Sequence, residues 1–216
     1  MASSFPGSID SFTNPLTTSA LNSPSHAGQH QDLNDAVNKI EAYMGLVKVI
    51  PTGATNGTVA ANGTVTIGNA VSSVTVSGAF SSLYDNYRIV ISGGAASTNS
   101  SMTMTLGATA TGYYDLGIYS QLTVGTVLTY NNANAASWAS VVYSTANNLS
   151  GTIELRDPFN AKFTMFDGIA VQSNTSGYVN RSSGYLANTT SYTAFTLTST
   201  AGTVTGGTIR VYGYRN

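Results

Sequence analysis

His26 and His30 are the chain's two imidazoles, and a spacing of four places both on one face of a helix, which is how a metal ion could be held. A third ligand is missing from that face, because the nearby Asp32 and Asp35 lie off it, so no metal site is expected. The absence of cysteine excludes thiolate ligands, disulfides and a Cys/His nucleophile. Beyond residue 58 there is no histidine, so no Ser/His/Asp arrangement can assemble there. The carboxylates of that region are Asp85, Asp115, Glu154, Asp157 and Asp167. A pair of them would suffice to cleave a glycoside. However, Asp85 and Asp157 read as turn residues, while Glu154 and Arg156 alternate on one strand face where they can pair. No Gly-rich loop followed by Lys-Ser/Thr is present to cradle a phosphate. The chain does not read as an enzyme and calls for no cofactor.

Aromatic residues offer a different chemistry. Tyr113, Tyr114, Tyr119, Tyr130, Trp138 and Tyr143 cluster in the middle of the chain among Asn and Ser. A pyranose presents an apolar face and a ring of hydroxyls, so such neighbourhoods suit sugars. Tyr113, Tyr114, Tyr119 and Trp138 are the candidate glycan contacts. The competing reading is structural and weighs more, since Tyr is a good strand former and lines subunit interfaces.

The elements that would position these residues follow from patterning. Charged residues make up 8% of the chain, and none falls between Lys48 and Asp85, Asp115 and Glu154, or Arg181 and Arg210. So little charge protects a lone monomer poorly, which points to surface covered by copies of itself. A net charge of −1 gives no basic surplus for nucleic acid. The opening MASSFPGSIDSF lacks the basic and apolar regions of a signal peptide, and no apolar run is long enough to span a bilayer, so synthesis in a cytoplasm without membrane insertion is expected.

Residues 1–24 read as an extended arm in which Phe5, Phe12 and Leu16 are separated by Pro6 and Pro15; the prolines forbid a continuous helix. Residues 25–46 read as a short helix closed by Gly45. Its Leu33, Val37, Ile40 and Met44 recur at spacings of four, three and four, an oligomerising seam. Residues 47–57 read as a linker. From 58 to 216, segments such as Tyr87–Ile91, Met102–Leu106 and Thr208–Tyr214 alternate apolar and polar residues. Turn signals such as Gly93-Gly94, Asn131-Asn132 and Gly206-Gly207 separate them. Ten or so strands without intervening helices predict a mainly β fold, a jelly-roll-like β-sandwich preceded by the arm and helix.

The stretch from Asn22 to Ala42 contains a His-x3-His-x-Asp-x-Asn-Asp-Ala element, His26 to Ala36, ahead of a short helix and Gly45. It resembles an N-terminal segment of tailed-bacteriophage virion proteins. Tyr84-Asp-Asn-Tyr-Arg-Ile-Val-Ile and Gly207-Thr-Ile-Arg-Val-Tyr-Gly-Tyr resemble the opening and closing strands of the β domain in such proteins. The resemblance implies a trimeric virion structural protein with an N-terminal attachment region and an exposed β domain. The function expected on that basis is a homotrimeric tail-fibre or receptor-binding subunit attached to other virion proteins by its N-terminal arm, with a host-surface glycan as the candidate partner of the tyrosines. The alternative is a capsid decoration (cement) or head-fibre protein, and a glycan-cleaving tail enzyme is a third class.

Overall fold

A computed structural model describes residues 26–43, 45–174 and 176–214. The chain divides into two compact units, parting between Gly45 and Leu46. The described part of the first is α1 (His26–Tyr43). Gly45 follows with φ of +68°, the left-handed turn expected after a helix. Leu33, Val37 and Ile40 are exposed by 43–55%, and Ala36 is buried. Met44 and the arm residues Phe5, Phe12 and Leu16 lie outside the described residues.

The second unit is built of β1 (Leu46–Lys48), β2 (Gly53–Thr55), β3 (Gly57–Val59), β4 (Val65–Ile67), β5 (Ser73–Ser77), β6 (Asn86–Gly93), β7 (Ala95–Ala96), β8 (Ser100–Leu106), β9 (Tyr113–Gln121), β10 (Val127–Ala135), β11 (Trp138–Ser144), β12 (Leu149–Arg156), β13 (Thr164–Val171), β14 (Tyr178–Leu186), β15 (Ala194–Ser199), β16 (Val204–Thr205) and β17 (Thr208–Tyr214). All pairings are antiparallel. One sheet runs β11-β8-β15-β5-β2 and the other β10-β9-β14-β13-β12-β6-β17, with β1 and β4 on β17 and β3 on β4. The residues expected as a linker, 47–57, are therefore strands: β1 bonds to β17 and β2 to β5, so the sandwich starts at Leu46.

The connectivity is that of a jelly roll, in which the first strand neighbours the eighth, the eighth the third and the third the sixth, while the second neighbours the seventh, the seventh the fourth and the fourth the fifth. Counting β5, β6, β8, β9, β10, β11 and β15 in order reproduces this, with one difference. The seventh position is filled by the β12-β13-β14 meander, which widens one sheet and carries β9 and β10 outward.

The sheets are joined where β11 and β12 meet. Only Tyr143↔Ser150 and Ser144↔Leu149 pair before β11 turns to β8 and β12 to β6 and β13. A register shift between Trp138 and Val142, with Ser140 at φ +51°, bends β11. The bend buries the consecutive Val141 and Val142 and sets Trp138 between the sheets, stacked on Phe166 at 4.9 Å and edge-on to Tyr113 at 5.1 Å. β12 passes this crossing at Gly151, where a Cβ would stand 2.8 Å from the Val141 carbonyl oxygen and 2.9 Å from Val142 Cγ2. The core continues through Tyr87, Ile89 and Ile91 of β6 facing Phe195 and Leu197 of β15 and Met102, Met104 and Leu106 of β8.

Among the strands of seven residues or more, β9, β10, β11, β13 and β14 lack the alternation that marks the others. On the inner faces of β9, β13 and β14 stand Asp115, Gly117, Gly168, Asn180 and Ser182, so apolar alternation is lost there. Asn131-Asn132, expected as a turn, lies inside β10. The two family-like segments prove to be neighbours, β6 and β17, paired from Thr208↔Ser92 to Gly213↔Tyr87. Glu154 and Arg156 do not pair with each other: Glu154 takes Arg88 across the ladder at 2.5 Å, and Arg156 takes Asp167.

Gly151→Ala should cost about 1–3 kcal/mol by overpacking the crossing. Denaturant titration followed by the fluorescence of Trp138, the chain's one tryptophan, checks this.

Candidate functional site

The β9-β10, β11-β12 and β13-β14 turns all lie at one end of the sandwich, as the registers Tyr178↔Gln121, Val127↔Ser120 and Ser144↔Ser100 require. Leu46 lies at the other end, since it pairs with Tyr214 beyond the Gly213↔Tyr87 pair at the start of β6. At the turn end an open cleft of about 360 Å³ separates the flared sheet from the edge of its partner. Tyr119 and Gln121 from β9, Tyr178 from β14 and Gln172 after β13 line one side. Ser100, Ser101 and Tyr143, from β8 and β11, line the other; Val124, Thr126 and Leu128 of the β9-β10 hairpin complete it.

Local bonds hold these walls. The Gln172 N–H donates to the Tyr178 carbonyl at 2.7 Å, and the Leu122 N–H to that of Gly177 at 2.7 Å. Ser100 Oγ is bonded to Ser144 Oγ at 2.8 Å and Ser199 Oγ at 3.2 Å. Behind Tyr119, the Tyr130 ring covers Gly117, where a Cβ would stand 2.1 Å from a ring carbon; only glycine admits this packing. Tyr130 donates to the Ala139 carbonyl at 3.2 Å and accepts from Asn180 Nδ2 at 3.4 Å.

Among the described residues, no charged side chain lines the cleft. Tyr119 and Tyr178 have centroids 6.0 Å apart at 58°, and Tyr143 and Tyr178 6.4 Å apart at 42°. Tilted in this way, no ring covers another's face. Burial, followed by the neighbouring Tyr130, Tyr119 and Tyr178, pushes the Tyr143 hydroxyl up to about 12, so it stays a neutral donor at physiological pH. Among the described residues, the hydroxyls of Tyr119, Tyr143 and Tyr178 make no hydrogen bond, and neither do the side-chain amides of Gln121 and Gln172. Gln172 is 7% exposed and its Oε1 is buried with no partner. Such a surface offers aromatic faces, hydroxyls and amides to an uncharged polar ligand.

Of the four candidate glycan contacts, the structure brings only Tyr119 to the cleft. Tyr113 and Trp138 are fully buried. The Tyr113 hydroxyl accepts from the Leu106 N–H at 2.7 Å, and Trp138 Nε1 donates to the Tyr185 carbonyl at 3.3 Å, so both are core residues with satisfied polar tips. Tyr114 lies on the sheet's outer face, stacked on Tyr185 at 4.9 Å and 10°. Tyr178 and Gln172 lie far from the cluster in sequence, and Gln121, two residues after Tyr119, carries no aromatic signal; Tyr143 belongs to the cluster. The available signal is a tyrosine at the mouth of the β9-β10 hairpin, and apolar alternation does not mark that hairpin. The side chain of His26 lies outside the described residues; His30 is exposed on α1. Among the described residues, no group of three His, Cys, Asp or Glu could hold a metal ion.

Beneath the cleft lies a buried carboxylate without a cation. Asp115, 5% exposed, accepts from Asn132 Nδ2 at 3.1 Å and the Ala139 N–H at 3.3 Å. Burial outweighs these bonds and raises its pKa above the ordinary carboxylate value. A raised folded-state pKa means the favourable contribution is present at low pH and is lost as pH rises through that value. Wild type should therefore lose stability as pH rises from acid toward neutral, and Asp115→Asn, which cannot ionise but sets its Nδ2 against one of the two donors, should lack that pH dependence. Thermal melts of both proteins across that range check the sign.

Compared with protein-family models, curated proteins and solved structures, the chain matches none of them.

Proposed function

We propose that the chain is a structural subunit of a tailed-bacteriophage particle, a homotrimeric tail-fibre or receptor-binding protein. Its N-terminal arm attaches it to other virion proteins, and its β-sandwich meets the host surface. The observation that carries this reading is the polarity of the sandwich. The chain enters it at Leu46, at the end opposite the cleft, so a domain tethered through its N-terminal segment has its tyrosine-lined end away from the tether. The sequence element from His26 to Ala36 supports the same reading.

Two surfaces support self-association. α1 exposes Leu33, Val37 and Ile40 as a continuous seam. In the sandwich, the outer face of the widened sheet exposes Leu116 and Ile118 of β9, Ile169 and Val171 of β13, and Val179 of β14. Ile118 and Ile169 flank Arg181 in one register row, Val179 pairs with Val171 in the next, and Leu116 pairs with Ser183 in the row on the other side, so the apolar side chains gather on this face around one arginine. Exposed apolar surface gathered in this way marks interfaces.

Static light scattering of the full chain should give about three times 22.3 kDa. Ile40→Asp should shift that mass toward the monomer, because an unpaired charge in a closed seam costs several kcal/mol. An unchanged trimer would move the contact to the sheet face. Deleting residues 1–22 should leave the β domain folded by circular dichroism but absent from purified particles in a complementation assay. Wild-type copy number of the truncated protein would overturn the attachment role, and electron-microscopic density on head facets alone would overturn the fibre reading in favour of capsid decoration.

A further inference from the structure

We propose that the cleft between Tyr119, Tyr143 and Tyr178 is a saccharide site selective for neutral sugars, with the side-chain amide of Gln172 as its internal polar contact. The proposal deepens the host-contact reading and rests on it for biological setting; the chemistry rests on the cleft alone.

Three features select the ligand class. First, the lining holds no charge, so an anionic or cationic ligand would lose hydration without gaining a partner. Second, the three tyrosine rings are tilted at 42° and 58° to one another and leave apolar faces open, while their hydroxyls make no bond among the described residues. Third, Gln172 is 93% buried by its 7% exposure, and its Oε1 lacks a hydrogen-bond partner. Buried polar atoms are nearly always paired; this acceptor is closed off as the cleft stands, so a ligand donor reaches it when the Gln172 side chain turns toward the cleft it lines. A purely apolar ligand would leave that acceptor and the tyrosine hydroxyls unsatisfied. A sugar ring supplies both parts, C–H groups for the rings and hydroxyls for Gln172 and Gln121.

The site is also built to hold its shape. Gln172 is fixed by the backbone bond to Tyr178 across the β13-β14 turn, and the adjoining Ser173 hydroxyl donates to Asn148 Oδ1 at 2.5 Å. The opposite wall is anchored by the Ser100–Ser144–Ser199 hydroxyl cluster. A ligand would therefore meet backbone walls already in place, which limits the ordering cost of binding to the side chains that line them.

The test uses the purified full-length chain and tetrasaccharides of glucose, galactose, mannose and N-acetylglucosamine, with a galacturonic acid tetramer as the anionic control. Ligand-observed and protein-observed NMR at millimolar sugar should show at least one neutral tetramer binding, with shifts at the Gln172 side-chain amide, and no binding of the control. Gln172→Leu should weaken that binding at least about tenfold while leaving the melting temperature unchanged or raised, because it removes an unpaired polar atom rather than a bond. Tyr143→Phe keeps the ring and should weaken binding less than Tyr143→Ala. Failure of every neutral tetramer to bind, equal or tighter binding of the galacturonic acid tetramer, or full affinity in Gln172→Leu would overturn the proposal. These outcomes leave the particle-location experiments untouched, so failure of the site and failure of the virion reading are told apart.

Discussion

The parting of β11 from β12 governs the rest of this structure. After two paired residues the strands leave each other, one to each sheet, and an antiparallel pair can do this only if the backbone bends and the strands cross closely. The bulge at Ser140 supplies the bend and Gly151 the close approach. Trp138 then fills the wedge that opens, with Phe166 and Tyr113 against it. The separation of the sheets, the depth of the core and the position of the cleft wall at Tyr143 all follow from that crossing.

Widening of the sheet by the β12-β13-β14 meander has a second consequence. The facing sheet ends at β11, so β9, β14 and β10 reach past the part of the core that large apolar side chains fill. The inner face there is small and polar instead, with Asp115, Gly117, Asn180 and Ser182 under Tyr130. Hydrogen bonds replace apolar contact, and some acceptors are left over: Asn180 Oδ1, Ser182 Oγ and Gln172 Oε1 are buried without partners. A region that gives up packing density for polar groups is where a ligand can be accommodated. The cleft opens beside it.

Two ion pairs stand on the outer face of the widened sheet. Arg88 meets Glu154, which also accepts from the Tyr214 hydroxyl at 2.8 Å, and Arg156 meets Asp167, whose pKa is lowered below the ordinary carboxylate value although its burial acts the other way; the hydroxyl of Ser183 and Arg156 together outweigh it. With these charges satisfied across the ladder, Leu116, Ile118, Ile169 and Val179 remain exposed beside them, with Arg181 between Ile118 and Ile169. That is the composition of an interface rather than of a free face in water.

The sequence alone determined the class of fold, because strands such as β6, β8, β12, β15 and β17 have one face in a dense core and show it as strict alternation. It also determined the helix, its exposed seam and the glycine that follows it, all local properties of adjacent residues. It did not determine that residues 47–57 belong to the sheet, because β1, β2 and β3 are three residues long, and β1 and β2 are held by the non-adjacent β17 and β5. Nor did it separate core aromatics from cleft aromatics: Tyr113 and Tyr119 stand on the same inner face of one strand, and only the distance of each from the facing sheet decides that the first is buried and the second open. The partners of Tyr119 in the cleft come from β11, the end of β13 and β14. Their assembly depends on where β11 leaves β12, a tertiary event with no local signature beyond a glycine among many.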